Sequence, residues 1–344
     1  MTQLYDSLRA ASSDSARAHT LGQRMPPLLD KRLIVVTGKG GVGRSTVAAA
    51  LAIESARRGR RTLLCETATD DRIADVFGLE RLGPVEERLG ENLHGVAIDA
   101  RAALAEWLER HASPAPLGAA LARSHTLRQL LGATPGAREL ISIAKVWELA
   151  QPQRQRAGDP VHDLTILDAP ATGHALAMLR APRTFAEIAR VGTVRRQGDK
   201  VWSFLTDPAS TGYLAVAAPE VMAVNETLEL ESSLADQLGA ALDAIVVNGV
   251  LPRRFSAADA RHLEATRARE TDASMRAALE LAAAEHTRAR RQQTQIRRLR
   301  RHARACVVTV PFLFEPAHDR AAITRLGRRL ARRLERPRGS RPRP

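Results

Sequence analysis

The sequence predicts an α/β fold: a mainly parallel sheet with helices on both faces. Three observations carry that expectation. The run Leu33-Ile34-Val35-Val36 is apolar and β-branched, and it leads through a glycine-rich turn into the Ala-rich helical run Val47 to Glu54. Similar apolar runs recur along the chain, separated by stretches of helical composition, as parallel strands joined by crossover helices require. One later run, Asp163-Leu164-Thr165-Ile166-Leu167-Asp168, is a further strand of this kind and ends in a carboxylate.

The totals set the frame. A chain of 344 residues with 44% hydrophobic content can bury a substantial core as one large domain or two. It has neither an apolar run long enough for a membrane span nor an N-terminal apolar core of a signal peptide. Cys65 and Cys306 both fall in runs read as buried strands, with no Cys or His at metal spacing, so a reducing, cytoplasmic setting is expected. The net charge of +14 leaves several explanations open: nucleic acid, acidic lipid, an acidic protein, or an arginine-rich coding bias.

In chain order, residues 1–30 are polar and Ala/Ser-rich and read as a flexible leader. The domain then spans 31–336. Its first turn, Thr37-Gly38-Lys39-Gly40-Gly41-Val42-Gly43-Arg44-Ser45-Thr46, has the setting of a phosphate-binding loop. Glycines let successive backbone N–H groups point inward, and the following helix adds the partial positive charge of its N-terminus. Gly38, Gly43 and Ser45 meet the spacing G-x4-G-K-[ST], with Arg44 in place of the usual Lys. Arg keeps the charge but is bulkier and donates in a planar fork.

Lys39 followed by Gly-Gly-Val-Gly resembles the deviant P-loop ATPases, among them the arsenite-pump and tail-anchored-protein targeting ATPases and the septum-site and plasmid-partition ATPases. The resemblance implies a three-layer P-loop NTPase fold, ATP and Mg²⁺ as cofactors, and a dimer in which Lys39 reaches the partner's nucleotide. It covers residues 33 to about 330 through separately placed motifs.

The strand Thr62 to Glu66 follows, then Thr67-Ala68-Thr69-Asp70-Asp71 and Asp75-Val76-Phe77-Gly78. The family's water-positioning Asp aligns with Ala68, a departure that leaves Glu66, Asp70 and Asp71 as the nearby carboxylates. Asn92 to Asp99 reads as another strand. From about 101 to 158 the composition is helical and matches the family's inserted helical subdomain. Within it Pro135 fits the first turn of a helix on which Leu140, Ile143, Val146, Trp147 and Leu149 keep helical spacing.

After Asp168, Ala169-Pro170-Ala171-Thr172-Gly173-His174 resembles the family's switch and reads as a mobile loop, with His174 as a switch residue. Thr193 to Asp207 reads as a helix, Tyr213 to Ala218 as a strand, and Ala244 to Asn248 as another, whose Asn248 the family uses to read the adenine edge. Residues 256–304 read as one long helical stretch; between Thr287 and Arg304 it holds eight arginines and no acid, with Ile296, Leu299 and Ala303 as a narrow apolar stripe. Cys306 to Pro311 is the last strand, and Pro311-Phe312 resembles the adenine-side loop. His318 to Leu334 closes the domain, and 337–344 reads as a disordered basic tail.

The expected chemistry is therefore specific. The amides of Gly40 to Thr46 cradle phosphates, Arg44 and Lys39 neutralise charge on the transferred group, and Ser45 and Asp168 hold Mg²⁺. The expected partner is a second subunit, a copy or a paralogue, together with a protein client or membrane partner; nucleic acid or anionic lipid could meet 287–304. Three readings stay open: a dimeric ATPase driving a client or pump, a weakly hydrolysing subunit paired with an active paralogue, and a partition-type ATPase. Arsenite itself is disfavoured, because soft As(III) needs thiolates that two isolated cysteines cannot supply.

Overall fold

The computed structural model describes residues 27–67, 72–111, 134–153, 161–189, 191–314 and 320–335. Most of the expected leader, the middle of the helical insert (112–133 and 154–160), Ala68, Asp70 and Asp71, and the tail 337–344 lie outside the described residues. Leu28 and Leu29, at the end of the expected leader, lie in a short 3-10 turn and are both buried.

Among the described residues, eight strands form one sheet: β1 (Leu33–Gly38), β2 (Thr62–Thr67), β3 (Glu87–Gly90), β4 (Leu93–Ile98), β5 (Leu164–Ala171), β6 (Thr211–Ala217), β7 (Ala244–Val250) and β8 (Cys306–Pro311). Their spatial order is β3-β4-β2-β5-β1-β6-β7-β8. β1 lies in the middle, parallel to β5 on one side and β6 on the other, with Val36 opposite Asp168 and Leu214. Every pairing is parallel except β3 with β4, whose antiparallel hairpin closes one edge. That hairpin is the element the sequence did not announce; β3 is four residues long and contributes one buried side chain, Leu89.

The helices are α1 (Arg44–Arg57), α2 (Arg72–Phe77), α3 (Ala100–His111), α4 (Ala137–Leu149), α5 (Thr172–Ala189), α6 (Thr193–Thr206), α7 (Val221–Leu238), α8 (Ala257–Arg267), α9 (Ala273–His302) and α10 (Arg320–Leu334). They cover both faces. Ile34 and Val36 of β1 pack with Val47 and Leu51 of α1 and with Ile323, Leu326 and Leu330 of α10. Leu33 and Val35, pointing the other way, pack with Ile143, Val146, Met178, Val201, Leu234 and Leu299 from helices of the opposite layer. A strand buried on both faces needs an unbroken apolar run, which is why β1 carries one. α10 lies so close on α1 that a Cβ at Gly327 would stand 2.2 Å from the Ala50 carbonyl oxygen.

Four expectations change in detail. Cys65 is buried, but Cys306 is exposed, because β8 is an outermost strand and alternate residues at its start face away from the core. The stretch 256–304 is two helices rather than one. Ser256 and Asp259 cap α8 reciprocally (Asp259 N to Ser256 Oγ 3.1 Å, Ser256 N to Asp259 Oδ2 2.8 Å), and Asp272 caps α9 through Met275 N at 2.8 Å. Pro135 precedes α4 rather than sitting in its first turn, and Gly136 in the left-handed region (φ 80°) is the N-cap. The switch after Asp168 is not a loop: β5 continues to Ala171, and α5 starts at the next residue.

Candidate nucleotide site

The loop between β1 and α1 sits at the C-terminal edge of the parallel sheet, where open α/β sheets place their ligands. Gly43 is the N-cap of α1 with φ 88°, and no side chain caps that first turn. Its amides are therefore turned towards the loop interior, available to an anion. Gly43 is required twice: by its left-handed backbone, and because a Cβ would stand 2.2 Å from Asn248 Nδ2. Asn248, at the end of β7, donates that nitrogen to the Val42 carbonyl at 2.9 Å. The residue expected to read adenine thus also shapes the phosphate loop from behind.

Three consecutive residues of β5 are tied to the loop. Ser45 Oγ donates to Asp168 Oδ2 at 2.5 Å, both residues being buried. Arg44 Nη1 donates to the Ala169 carbonyl. Thr37 Oγ1 donates to the Pro170 carbonyl at 3.1 Å. Arg44 accordingly lies across the base of the switch strand, a reach that its longer fork permits. A hydroxyl and a carboxylate adjoining at the foot of a phosphate loop form an all-oxygen donor pair, which suits a hard cation such as Mg²⁺. The residues present fit that ion.

Lys39 is turned the other way. Its Nζ lies 2.6 Å from Glu226 Oε1 on α7, each side chain about a third exposed. Gly40, Arg44, Asp168 and His174 border one cavity of about 630 Å³, open between the loop and the helical insert. His174 is exposed, on the first turn of α5. Pro311 pairs in register with Val250, and Phe312 N donates to the Val250 carbonyl at 2.9 Å, so the expected adenine-side residues stand beside Asn248 at neighbouring strand ends. The structure therefore brings the loop, Asp168, His174, Asn248, Pro311 and Phe312 to one edge of the sheet.

The sequence missed part of the wall. Arg72, Arg101 and Arg138 also line the cavity, coming from three helices whose relative placement no local pattern encodes. Glu66, one of the carboxylates considered for positioning water, lines the same cavity and also holds a helix. Its two oxygens accept from Arg72 N (3.0 Å) and Ile73 N (3.2 Å), capping α2.

A glycine loop between a central parallel strand and a helix, with a Ser–Asp pair at its foot, defines the class: a P-loop nucleotide-binding protein of α/β architecture. Comparison with known proteins narrows this. A family model described as anion-transporting ATPase matches residues 31–197 and 186–277, and the chain belongs to that family of ATP-hydrolysing enzymes. It is 32% identical over 233 residues to the ATPase BagA of Mycobacterium tuberculosis, spanning 66% of this chain and 68% of the relative. It is 28% identical to the ATPase GET3 of Kluyveromyces lactis, over 66% of this chain and 74% of that one. A relative from Halobacterium salinarum named for driving an arsenical pump is 25% identical over 69% of this chain and 38% of its own length.

Proposed function

We propose that this ATPase binds Mg-ATP on the β1–α1 loop, hydrolyses it between two subunits, and uses the resulting change to act on a protein client or membrane partner. The observation that carries this reading is the buried Ser45–Asp168 pair beneath the uncapped first turn of α1. The loop amides would hold the phosphates, with Arg44 keeping the loop fixed to β5 while adding positive charge. Mg²⁺, held by Ser45 and Asp168, would supply Lewis-acid neutralisation of the phosphate oxygens. Lys39 would leave Glu226 for the phosphates, in its own subunit or the partner's. His174, at the head of α5, would sense occupation of the cavity. Pro311, Phe312 and Asn248 would border the base. No described helix is long and apolar enough to cross a membrane.

A second reading has a specific observation behind it: a subunit of slow turnover paired with an active paralogue. Glu66 stands in the wall of the cavity, but both of its oxygens already accept from α2 amides, which leaves it a weaker base for a water than a free carboxylate. One experiment separates the two. Phosphate release and molecular mass are followed together with and without Mg-ATP. Turnover with nucleotide-dependent dimerisation, abolished in Lys39→Ala, supports the first reading. Binding without turnover supports the second, and indifference to millimolar ATP overturns both.

A further inference from the structure

Beyond the C-terminal end of β7, the segment Pro252–Ala257 and one face of α9 border a second, open cavity of about 630 Å³. We propose that it is a binding site for a compact polyanion carrying two or more phosphate groups, separate from the nucleotide on the P-loop. The wall carries four guanidinium groups, Arg253 and Arg254 from the segment and Arg290 and Arg297 from α9. Positions 286, 290, 293 and 297 recur at helical spacing, so their side chains line one stripe. Gln292, Ile296 and Leu299 occupy the buried stripe and leave that face for a ligand.

Two carboxylates share the wall, and both are already engaged. Asp259 accepts from Ser256 N at 2.8 Å in the cap of α8. Glu285 pairs with Arg254 at 3.0 Å. Arg290 and Arg297 have no acidic partner among the described residues. Planar forks that can grip oxygen pairs and the side-chain amide of Gln293 together match phosphate oxygens. A cavity of about 630 Å³ holds a compact anion, whereas a duplex is too wide to enter it and would touch only its rim.

The site has a structural link to the nucleotide edge. Arg254 lies over the Phe314 ring, 5.3 Å from its centroid, and Phe314 packs edge-on against Phe312 with centroids 5.0 Å apart. A ligand that drew Arg254 off the Phe314 ring would withdraw it from the loop expected to flank adenine.

The test is equilibrium dialysis with labelled inorganic pyrophosphate on the full chain. The wild type is expected to bind at both the loop and the cavity, while Arg290→Ala/Arg297→Ala retains the loop site alone and Gly43→Ala retains the cavity site alone. Arg290→Lys/Arg297→Lys, which keeps charge but not the fork, is expected to weaken the cavity site about tenfold. Both arginines are exposed, so loss of folding is not expected; a melting curve on each variant checks it, and the Gln pair replaces the Ala pair if needed. The same stoichiometry in wild type and Arg290→Ala/Arg297→Ala overturns the proposal. So does an arginine-dependent affinity for a duplex of about 20 base pairs with no response to pyrophosphate, which would make this face a nucleic-acid surface. Absence of the loop site alone would instead count against the ATP reading, leaving this one standing.

Discussion

Asn248 Nδ2 lies 2.9 Å from the carbonyl oxygen of Val42, so the end of β7 holds the phosphate loop in shape. Asn248→Ala removes that support and should weaken ATP binding about fivefold, in line with roughly 1 kcal/mol for one hydrogen bond. Gly43→Ala should abolish ATP binding while the sheet persists, since the new methyl would stand 2.2 Å from the same nitrogen. Fluorescent-nucleotide titration beside far-UV circular dichroism checks both. Unchanged affinity in Gly43→Ala would refute the loop geometry.

The Lys39–Glu226 pair predicts a separation between activity and stability. Both side chains are about a third exposed, so the ion pair contributes no more than about 1 kcal/mol. Lys39→Ala should leave the thermal midpoint within about 2 °C and remove phosphate release. Glu226→Gln should also leave the midpoint in place, and should increase nucleotide affinity by freeing the lysine. A large loss of stability in either variant would show the pair to be structural.

Lys31 behaves oppositely. Its ammonium is 1% exposed and lies 2.7 Å from Asp243 Oδ1, whose other oxygen accepts from Tyr213 N at 2.9 Å. Asp243→Ala leaves a buried cation and an unmatched amide, and should cost about 3–5 kcal/mol in urea unfolding. Asp243→Asn retains the acceptor and should cost less. Equal losses would place the effect outside the ion pair.

Asp163 gives a pH signature. Burial works against its ionised form, but the Arg61 backbone N–H at 2.8 Å, the Arg61 guanidinium and the charge of Arg60 outweigh it, and the pKa is lowered below 3.8. A depressed carboxylate pKa stabilises the fold above the unfolded-state value, and that contribution fades as pH falls through the folded-state value. Asp163→Asn should therefore be less stable than wild type at pH 7, with the gap closing below pH 3.8. A gap independent of pH would contradict the assignment.

Much of this architecture was legible because strands buried on both faces need unbroken apolar runs, and β1, β2, β5, β6 and β7 each announce themselves that way. β3 did not, since an edge strand with one buried residue has no such run to show. The glycine loop was equally legible because it is local, and Asp168 stood out as a carboxylate in an apolar run, although β5 continues past it to Ala171. What escaped depended on distance. Nothing in the neighbourhood of Glu66 says that its oxygens cap a helix six residues on, and nothing near Lys39 names Glu226. The break between α8 and α9 was written in Asp272, the cap of α9, but the surrounding alanines mask that signal.

The direct passage from β5 into α5 has a mechanical consequence. A flexible connection would absorb a shift of the Asp168 peptide, whereas a helix that begins without slack moves with it. Eighteen residues at about 1.5 Å each make α5 a rod of roughly 27 Å, with Pro182 as its one weak joint. A shift at Asp168 would thus be carried along α5 to its far end rather than lost in a loop.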